Sequence, residues 1–455
     1  MTNNPILAIS PLDGRYSEKL SNVRNTLSEF GLMKYRVIVE LKWLEKLSKN
    51  NKLPEVKNFS ENAIKFLNSI AENFTEKDAN RIKEIESTIN HDVKAVEYFI
   101  KEKIAENSEL KSASEFIHFG LTSEDVNNLA YALMLKSANE DFILPEINEL
   151  SDKLKKLALD NADIPMLCRT HGQPASPSTI GKEIANFVAR LARQITQLQN
   201  IKIYGKLNGA TGNYNALEVA CPETDWLLES KEFIESLGLT WNKYTTQIEP
   251  HDYIAEMFAI ILRANNILID FNRDMWGYIS LNYFKQKNLK NEVGSSTMPH
   301  KINPIDFENS EGNLGIGNAL LEHMANKLPQ SRFQRDLTDS TVLRNIGAAI
   351  AHSLISYKAT IKGLSKIAVN PNAIEKDLNC HPEVLAEAVQ TVMRRYSIEQ
   401  PYEKLKSFTR GKEITIELLH NFIAELPLDD KIKDNLLKIT PANYIGYASK
   451  LAKEV

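Results

Sequence analysis

Glycine and proline are scarce in this chain: 18 and 17 of 455 residues, where average usage would supply about 12% between them. So few breakers leave little room for tight turns. That argues against a sandwich, a barrel or a many-turned α/β fold, and for long helices. Cysteine is scarcer still. Cys168, Cys221 and Cys380 are odd in number, far apart and without metal-ligand or redox spacing. They read as reduced thiols of a cytoplasmic protein. Neither sign of charge dominates, with 55 Lys and Arg against 59 Asp and Glu, net −4. A phosphate-neutralising surface for nucleic acid is therefore not expected, although a local basic pocket for one small anion stays open. Long apolar runs are also missing. The most apolar stretch, residues 254–271, carries Glu256, Arg263 and Asp270, which suits a buried helix rather than a membrane span. Residues 1–16 lack a cationic region followed by an apolar one, so no secretory leader is expected.

Several motifs are missing as well. The chain has no GxGxxG after a strand, no P-loop, no HExxH, no CxxC and no GxSxG elbow. Nucleotide-cofactor redox, P-loop phosphoryl transfer and zinc hydrolysis lose their usual signatures, and neither metal nor cofactor is expected.

Apolar residues recur at helical spacing almost everywhere. Leu20, Val23, Leu27 and Phe30 step by three or four, and Met33, Val37, Leu41 and Leu44 continue the pattern. Thr75 with Asp78 three residues on forms an approximate capping box, which opens a helix whose seam is Ile82, Ile85, Ile89, Val96 and Phe99. Further runs cover 133–159, 180–198, 252–285 and 343–364, several of them far beyond the ~11-residue average helix. No segment shows sustained strand alternation with hairpin signals. An all-α fold follows, with a long central helix bundle. Length at ~150 residues per domain suggests three parts. We divide the chain into an N-terminal helical domain (1–111), a central long-helix bundle (112–368) and a C-terminal helical domain (369–455).

Polar knots interrupt the helices. Ser10-Pro11-Leu12-Asp13-Gly14-Arg15-Tyr16 reads as a turn before the first helix. Asn90-His91-Asp92 lies inside the helix opened at Thr75, with Asp92 on its seam, so this carboxylate must be paired or line a polar cavity. His118 to Asp125 and Arg169 to Ala175 each combine an imidazole and a hydroxyl before a long helix. Thr122 or Ser123 suits an N-cap. His171, beside Gly172 and Pro174, sits outside regular helix, where an imidazole is a candidate general acid or an ordinary exposed side chain. The strongest knot is Gly294-Ser295-Ser296-Thr297-Met298-Pro299-His300-Lys301-Ile302-Asn303-Pro304. A long loop in a helix-rich chain is either a connection or functional, and its Ser, Thr, Lys and Asn are ligands for carboxylates. Arginine is also informative. Only 15 of the 55 cations are Arg, so an Arg merits a closer look as a bidentate anion ligand, while most of the fifteen read as surface or helix-face residues.

The loop Gly294 to Pro304 resembles the GSSxMPxKxNP signature of the fumarase/aspartase superfamily, and every fixed place is matched. Segments 10–16, 90–92, 122–125, 169–175, 245–251, 335–341 and 440–446, together with His300, resemble the branch that acts on succinylated purine nucleotides. The similarity spans nearly the whole chain. It implies a helical homotetramer with active sites shared at subunit corners, small-molecule nucleotide substrates, and β-elimination of fumarate without metal or cofactor. It further implies Ser295 as base and His171 as acid, with Glu308 orienting His171, Lys301 stabilising an alkoxide and His91 as the competing acid. Arg15, Tyr16, Arg335, Ser340 and Arg344 match nucleotide and phosphate contacts. Thr122, Ser123, Gln247, Ser296, Lys301 and Asn303 match succinyl contacts. Asn90, Asp92, Thr170, Asn309 and Thr341 complete the expected site. The alternatives are another fumarate-forming lyase of the superfamily, such as argininosuccinate lyase, and a non-catalytic helical oligomer.

Overall fold

The computed structural model describes residues 4–287, 297–298, 300–411 and 414–455. The chain groups into two compact units drawn from non-consecutive stretches. Unit 1 comprises 1–147, 194–265 and 312–356; unit 2 comprises 148–193, 266–311 and 357–455. This grouping does not follow the chain as three consecutive segments would. Helices dominate, as the scarcity of breakers requires. The longest are Asp252–Ser280, Ile305–Lys327, Ile180–Asn200, Glu29–Ser48 and Ile346–Ser365. No helix among the described residues is long and apolar enough to cross a membrane.

In unit 1 the capping box at Thr75 is formed. The Thr75 N–H donates to Asp78 Oδ2 at 2.9 Å. The helix it opens, Glu76–Ile89, stops sooner than the apolar seam suggested. Asn90 takes φ 57°, ψ 38° and its N–H closes on Glu86 O. His91 then caps a new helix, Asp92–Ile104, by accepting the Lys94 N–H on Nδ1. Asparagine tolerates the left-handed region at small penalty, so an unbroken stripe of apolar residues here spans two helices. A similar break follows Leu27. Ser28 accepts from the Gly31 N–H to start Glu29–Ser48. A Cβ on Gly31 would lie 2.3 Å from Thr26 O, so the tight turn needs glycine. Behind these helices Trp43 is fully buried. Its indole N–H donates to Phe119 O at 3.0 Å, and its ring lies 5.1 Å from that of Phe233. Each such side chain contributes roughly 1.5–3 kcal/mol of burial. Buried amides fix helix register. Asn265 Nδ2 donates to Asn318 Oδ1 and Ser353 Oγ, both at 2.9 Å. Satisfied polar bridges of this kind admit one alignment of the helices and reject slipped ones.

In unit 2 the same three long helices carry a second polar bridge. Asn272 Nδ2 donates to Ser310 Oγ at 2.9 Å, and Ser310 and Thr360 hydroxyls lie 2.8 Å apart. The segment Arg169 to Ala175, expected only as a polar knot, is instead the end of an antiparallel hairpin, Pro165–Thr170 with Gln173–Thr179. Pro165, Pro174 and Pro177 hide it in the sequence, because proline normally argues against a strand. A two-stranded ribbon has free edges where the missing N–H does no harm. Its two-residue turn is His171-Gly172, with φ 54° and 75°. Positive φ at both positions is the turn that matches strand twist. C-terminal elements brace the hairpin. Arg169 Nη2 donates to Asp377 Oδ2 at 2.6 Å, which also accepts the Tyr283 hydroxyl at 2.5 Å. Ser176 bonds to Glu387, and the Tyr444 hydroxyl donates to the same carboxylate at 3.0 Å.

Candidate active site

The expected site residues fall into two groups, one in each unit. In unit 1 the Thr122 turn opens the helix Ser123–Ser137. The Thr122 N–H donates to Asp125 Oδ2 at 2.9 Å. Asp125 is completely buried and pairs with the equally buried Lys206, 2.9 Å away. It also accepts the N–H groups of Asn208 at 3.0 Å and Gly209 at 3.1 Å. Four donors on one carboxylate allow a charge to persist in the interior. The pair therefore locks the turn carrying Thr122 and Ser123 against the 206–212 loop.

Beside this turn, Arg335 meets three acceptors. Its Nη2 lies 2.9 Å from Glu124 Oε1 and 3.6 Å from Asp339 Oδ1, and its Nη1 donates to Gln247 Oε1 at 3.3 Å. Gln247 and Arg335 are thus brought together from segments 88 residues apart. Burial pushes the Glu124 carboxyl above its ordinary range despite Arg335 and Asn127. For Asp339 the balance goes the other way. Burial raises it, but His251, Arg335 and the Ser340 N–H outweigh burial and hold it low. His251 Nε2 stands 3.5 Å from Asp339 Oδ2, and the His251 N–H donates to Glu249 Oε2 at 2.8 Å. Ser340 is half-buried and Thr341 exposed.

A second arginine of unit 1, Arg344, pairs with Glu29 at 2.8 Å and Asp92 at 3.3 Å. Asp92 is paired, as its seam position required. Burial raises its carboxyl, yet Arg36, the Val93 N–H and Arg344 bring it below the usual carboxylate range. Asn90 and His91 are exposed. Arg15 is exposed, while Tyr16 is half-buried with Asn313 Nδ2 3.5 Å from its hydroxyl.

His118 also stands near this turn, with φ 62°. Its Nδ1 lies 2.6 Å from buried Glu40 Oε1, and its N–H donates to Glu40 Oε2 at 3.1 Å. Burial lowers the imidazole's affinity for a proton, but Glu40, Glu97 and Asp125 outweigh it, so the net shift is upward. A raised folded value means that the proton stabilises the folded state. That contribution is complete below the unfolded value of about 6.5 and disappears as pH rises through the higher folded value. Denaturant midpoints followed upward from about pH 6 are expected to fall, and His118→Gln should flatten that slope. An unchanged slope in the variant would refute this linkage.

Unit 2 holds His171 and Glu308, expected as acid and its orienting partner, while the competing acid His91 lies in unit 1. His171 and Thr170 sit exposed at the hairpin end. Lys301 is exposed and its N–H donates to Met298 O at 3.0 Å; Asn303 is half-buried. Gln286 Nε2 donates to Ile302 O at 2.9 Å, which ties down this stretch. Ser295 and Ser296, with Gly294 and Pro299, lie outside the described residues. Glu308 and Asn309 occupy the start of the helix Ile305–Lys327. Among the described contacts of one chain, Glu308 makes no hydrogen bond to His171. Glu308 instead accepts from the Trp276 indole N–H at 3.2 Å. Both Glu308 and His171 are exposed.

Sequence reasoning missed Glu124, Asp339, Lys206 and Arg36. The i,i+4 spacing of Arg335 and Asp339 was a visible signal. The partnership of Lys206 with Asp125, 81 positions apart in numbering, left none.

A family model described as Lyase matches residues 14–317, and one described as Adenylosuccinate lyase C-terminal matches residues 331–445. The adenylosuccinate lyase of Escherichia coli strain K12 is 58% identical over 455 residues, all of both chains. The chain belongs to the adenylosuccinate lyase family. That of Haemophilus influenzae is likewise 58% identical over 455 residues, 100% of each. That of Legionella pneumophila is 55% identical over 453 residues, 100% of this chain and 99% of that one. Among solved structures, a fumarate lyase from Mesorhizobium sp. BNC1 superposes with TM-score 0.77 at 19% identity, covering 95% of this chain and 97% of that one. A 3-carboxy-cis,cis-muconate lactonizing enzyme from Pseudomonas putida gives TM-score 0.74 at 22% identity, covering 95% and 96%. These two establish the shared all-α fold expected from the superfamily resemblance. Membership of the adenylosuccinate lyase family makes the chain a carbon–nitrogen lyase.

Proposed function

We propose that this chain eliminates fumarate from adenylosuccinate to give AMP, and from the succinylated carboxamide ribonucleotide SAICAR to give AICAR. The full-length identity to adenylosuccinate lyases carries the reading, and the complete Gly294–Pro304 signature supports it. The chemistry requires a base for the proton beside a carboxylate, donors that grip the resulting aci-carboxylate, and an acid for the departing purine nitrogen. Ser295 is the base. Its hydroxyl ionises far above neutral pH in water, so a nearby cation, Lys301, and exclusion of water stabilise the alkoxide. His171 is the acid and His91 the competing candidate. Thr122, Ser123, Gln247, Ser296 and Asn303 bind the succinyl part. Arg15, Tyr16, Arg335, Ser340 and Arg344 bind the nucleotide, where the planar guanidinium fork suits phosphate. Asn90, Asp92, Thr170, Asn309 and Thr341 complete the site.

The protein works as a cytoplasmic homotetramer with shared active sites. Two features support sharing. His171 is exposed at the hairpin end and Glu308 is exposed at the start of its helix, so each is open to groups of another copy, and Glu308 orients His171 in the assembled site. Incubation with adenylosuccinate should yield AMP and fumarate in equal amounts. Release of fumarate from argininosuccinate instead would identify the wrong substrate, and no product from either would sink the reading.

A further inference from the structure

We infer that Arg36, buried in unit 1, is a positioning residue that sets Arg335 and Arg344, two of the three arginines assigned to the nucleotide end, through one chain of hydrogen bonds. The inference rests on the reading of Arg335 and Arg344 as phosphate contacts. Arg36 lies on the helix Glu29–Ser48 and its side chain is only 3% exposed. A guanidinium so placed needs a carboxylate partner, since an unpaired buried charge is strongly unfavourable. Its Nη2 donates to Asp92 Oδ2 at 2.8 Å, the same oxygen that Arg344 reaches at 3.3 Å. Its Nε donates to Asn127 Oδ1 at 2.8 Å. Asn127 passes the link on, because its Nδ2 donates to Glu124 Oε1 at 2.7 Å. That oxygen is the one 2.9 Å from Arg335 Nη2.

The two ends are therefore built alike. Each outer arginine shares a carboxylate oxygen with an inner donor that holds it more closely: 2.8 against 3.3 Å at Asp92, and 2.7 against 2.9 Å at Glu124. The inner donors take up part of each carboxylate's charge. Arg335 and Arg344, which also meet Asp339 at 3.6 Å and Glu29 at 2.8 Å, are held aligned, and an incoming phosphate meets guanidinium forks already in place. Pre-alignment of this kind raises affinity by reducing the ordering that binding requires. Without Arg36, Asp92 turns its full charge on Arg344, and Asn127 loses the donor that orients it towards Glu124.

The test uses Arg36→Lys, which keeps the charge but cannot make both bonds, and Asn127→Ala, which leaves the Arg36–Asp92 pair intact. Steady-state kinetics with adenylosuccinate are combined with inhibition by AMP and by fumarate. In both variants KM and the AMP inhibition constant should rise about tenfold, the equivalent of one charge-assisted hydrogen bond. kcat and the fumarate inhibition constant should hold within about threefold. A folded variant with unchanged AMP inhibition overturns the inference, as does a fall in kcat with AMP inhibition intact. If Arg36→Lys does not fold, Asn127→Ala decides. If wild-type protein does not cleave adenylosuccinate, the functional reading has failed by itself. Calorimetric titration of AMP into wild type and variants then tests Arg36 separately, and wild-type protein that binds no AMP overturns both.

Discussion

His171→Asn should lower kcat about 10²–10⁴-fold, the range of a positioned general acid, while helical circular dichroism and the unfolding midpoint hardly change. The choice of asparagine matters. His171 sits at φ 54° in the hairpin turn, and asparagine accepts that region readily, so the turn survives while the proton donor is lost. The imidazole is exposed, so its removal leaves packing intact and stability should shift by no more than about 0.5 kcal/mol. Ser295→Ala should be equally damaging, because the proposed base is lost. His91→Ala is the comparison. If it abolished turnover while His171→Asn kept near-wild-type rates, the two histidines would exchange roles. Single-turnover assays that follow fumarate release separate the chemical step from product release.

Lys206→Met should destabilise the fold by about 3–5 kcal/mol, the usual consequence of leaving one member of a buried ion pair alone. Both partners are at 0% exposure and 2.9 Å apart, and Lys206 Nζ also donates to Gly209 O at 3.0 Å. The Asp125 carboxylate would keep its backbone donors but lose its only cation among the described contacts. Lys206→Met combined with Asp125→Asn should recover part of the loss, since the uncompensated charge is then gone. Guanidinium unfolding at fixed protein concentration checks this, and an unchanged midpoint in Lys206→Met would refute it. Because Asp125 holds the turn of Thr122 and Ser123, the single variant should also raise KM for the succinyl substrate.

Much of the fold was legible in the sequence because helices are local. The 3.6-residue stripe and the scarcity of breakers pointed to long helices, and Asp252–Ser280 alone runs 29 residues. The Thr75–Asp78 box also needed only four consecutive residues. Failures came where neighbours in space override the local pattern. Apolar spacing continued through Asn90, yet the chain turns there. Prolines at 165, 174 and 177 concealed a ribbon braced by residues 200 and more positions away.

The site divides in the same way. By itself the sequence pointed to the superfamily and its reaction class through a continuous loop of eleven residues, and to the branch through short segments elsewhere, because such motifs depend on residue type and order. The family resemblance also marked Arg335 and Arg344 among the fifteen arginines, whose planar fork suits phosphate. Only the tertiary structure decided what holds those arginines in place. The carboxylates on Arg335 and Arg344, the buried Arg36 between them and the Lys206–Asp125 pair join segments from distant parts of the chain. A buried charge is tolerated only where folding delivers its partner, and that delivery is a property of the packed chain.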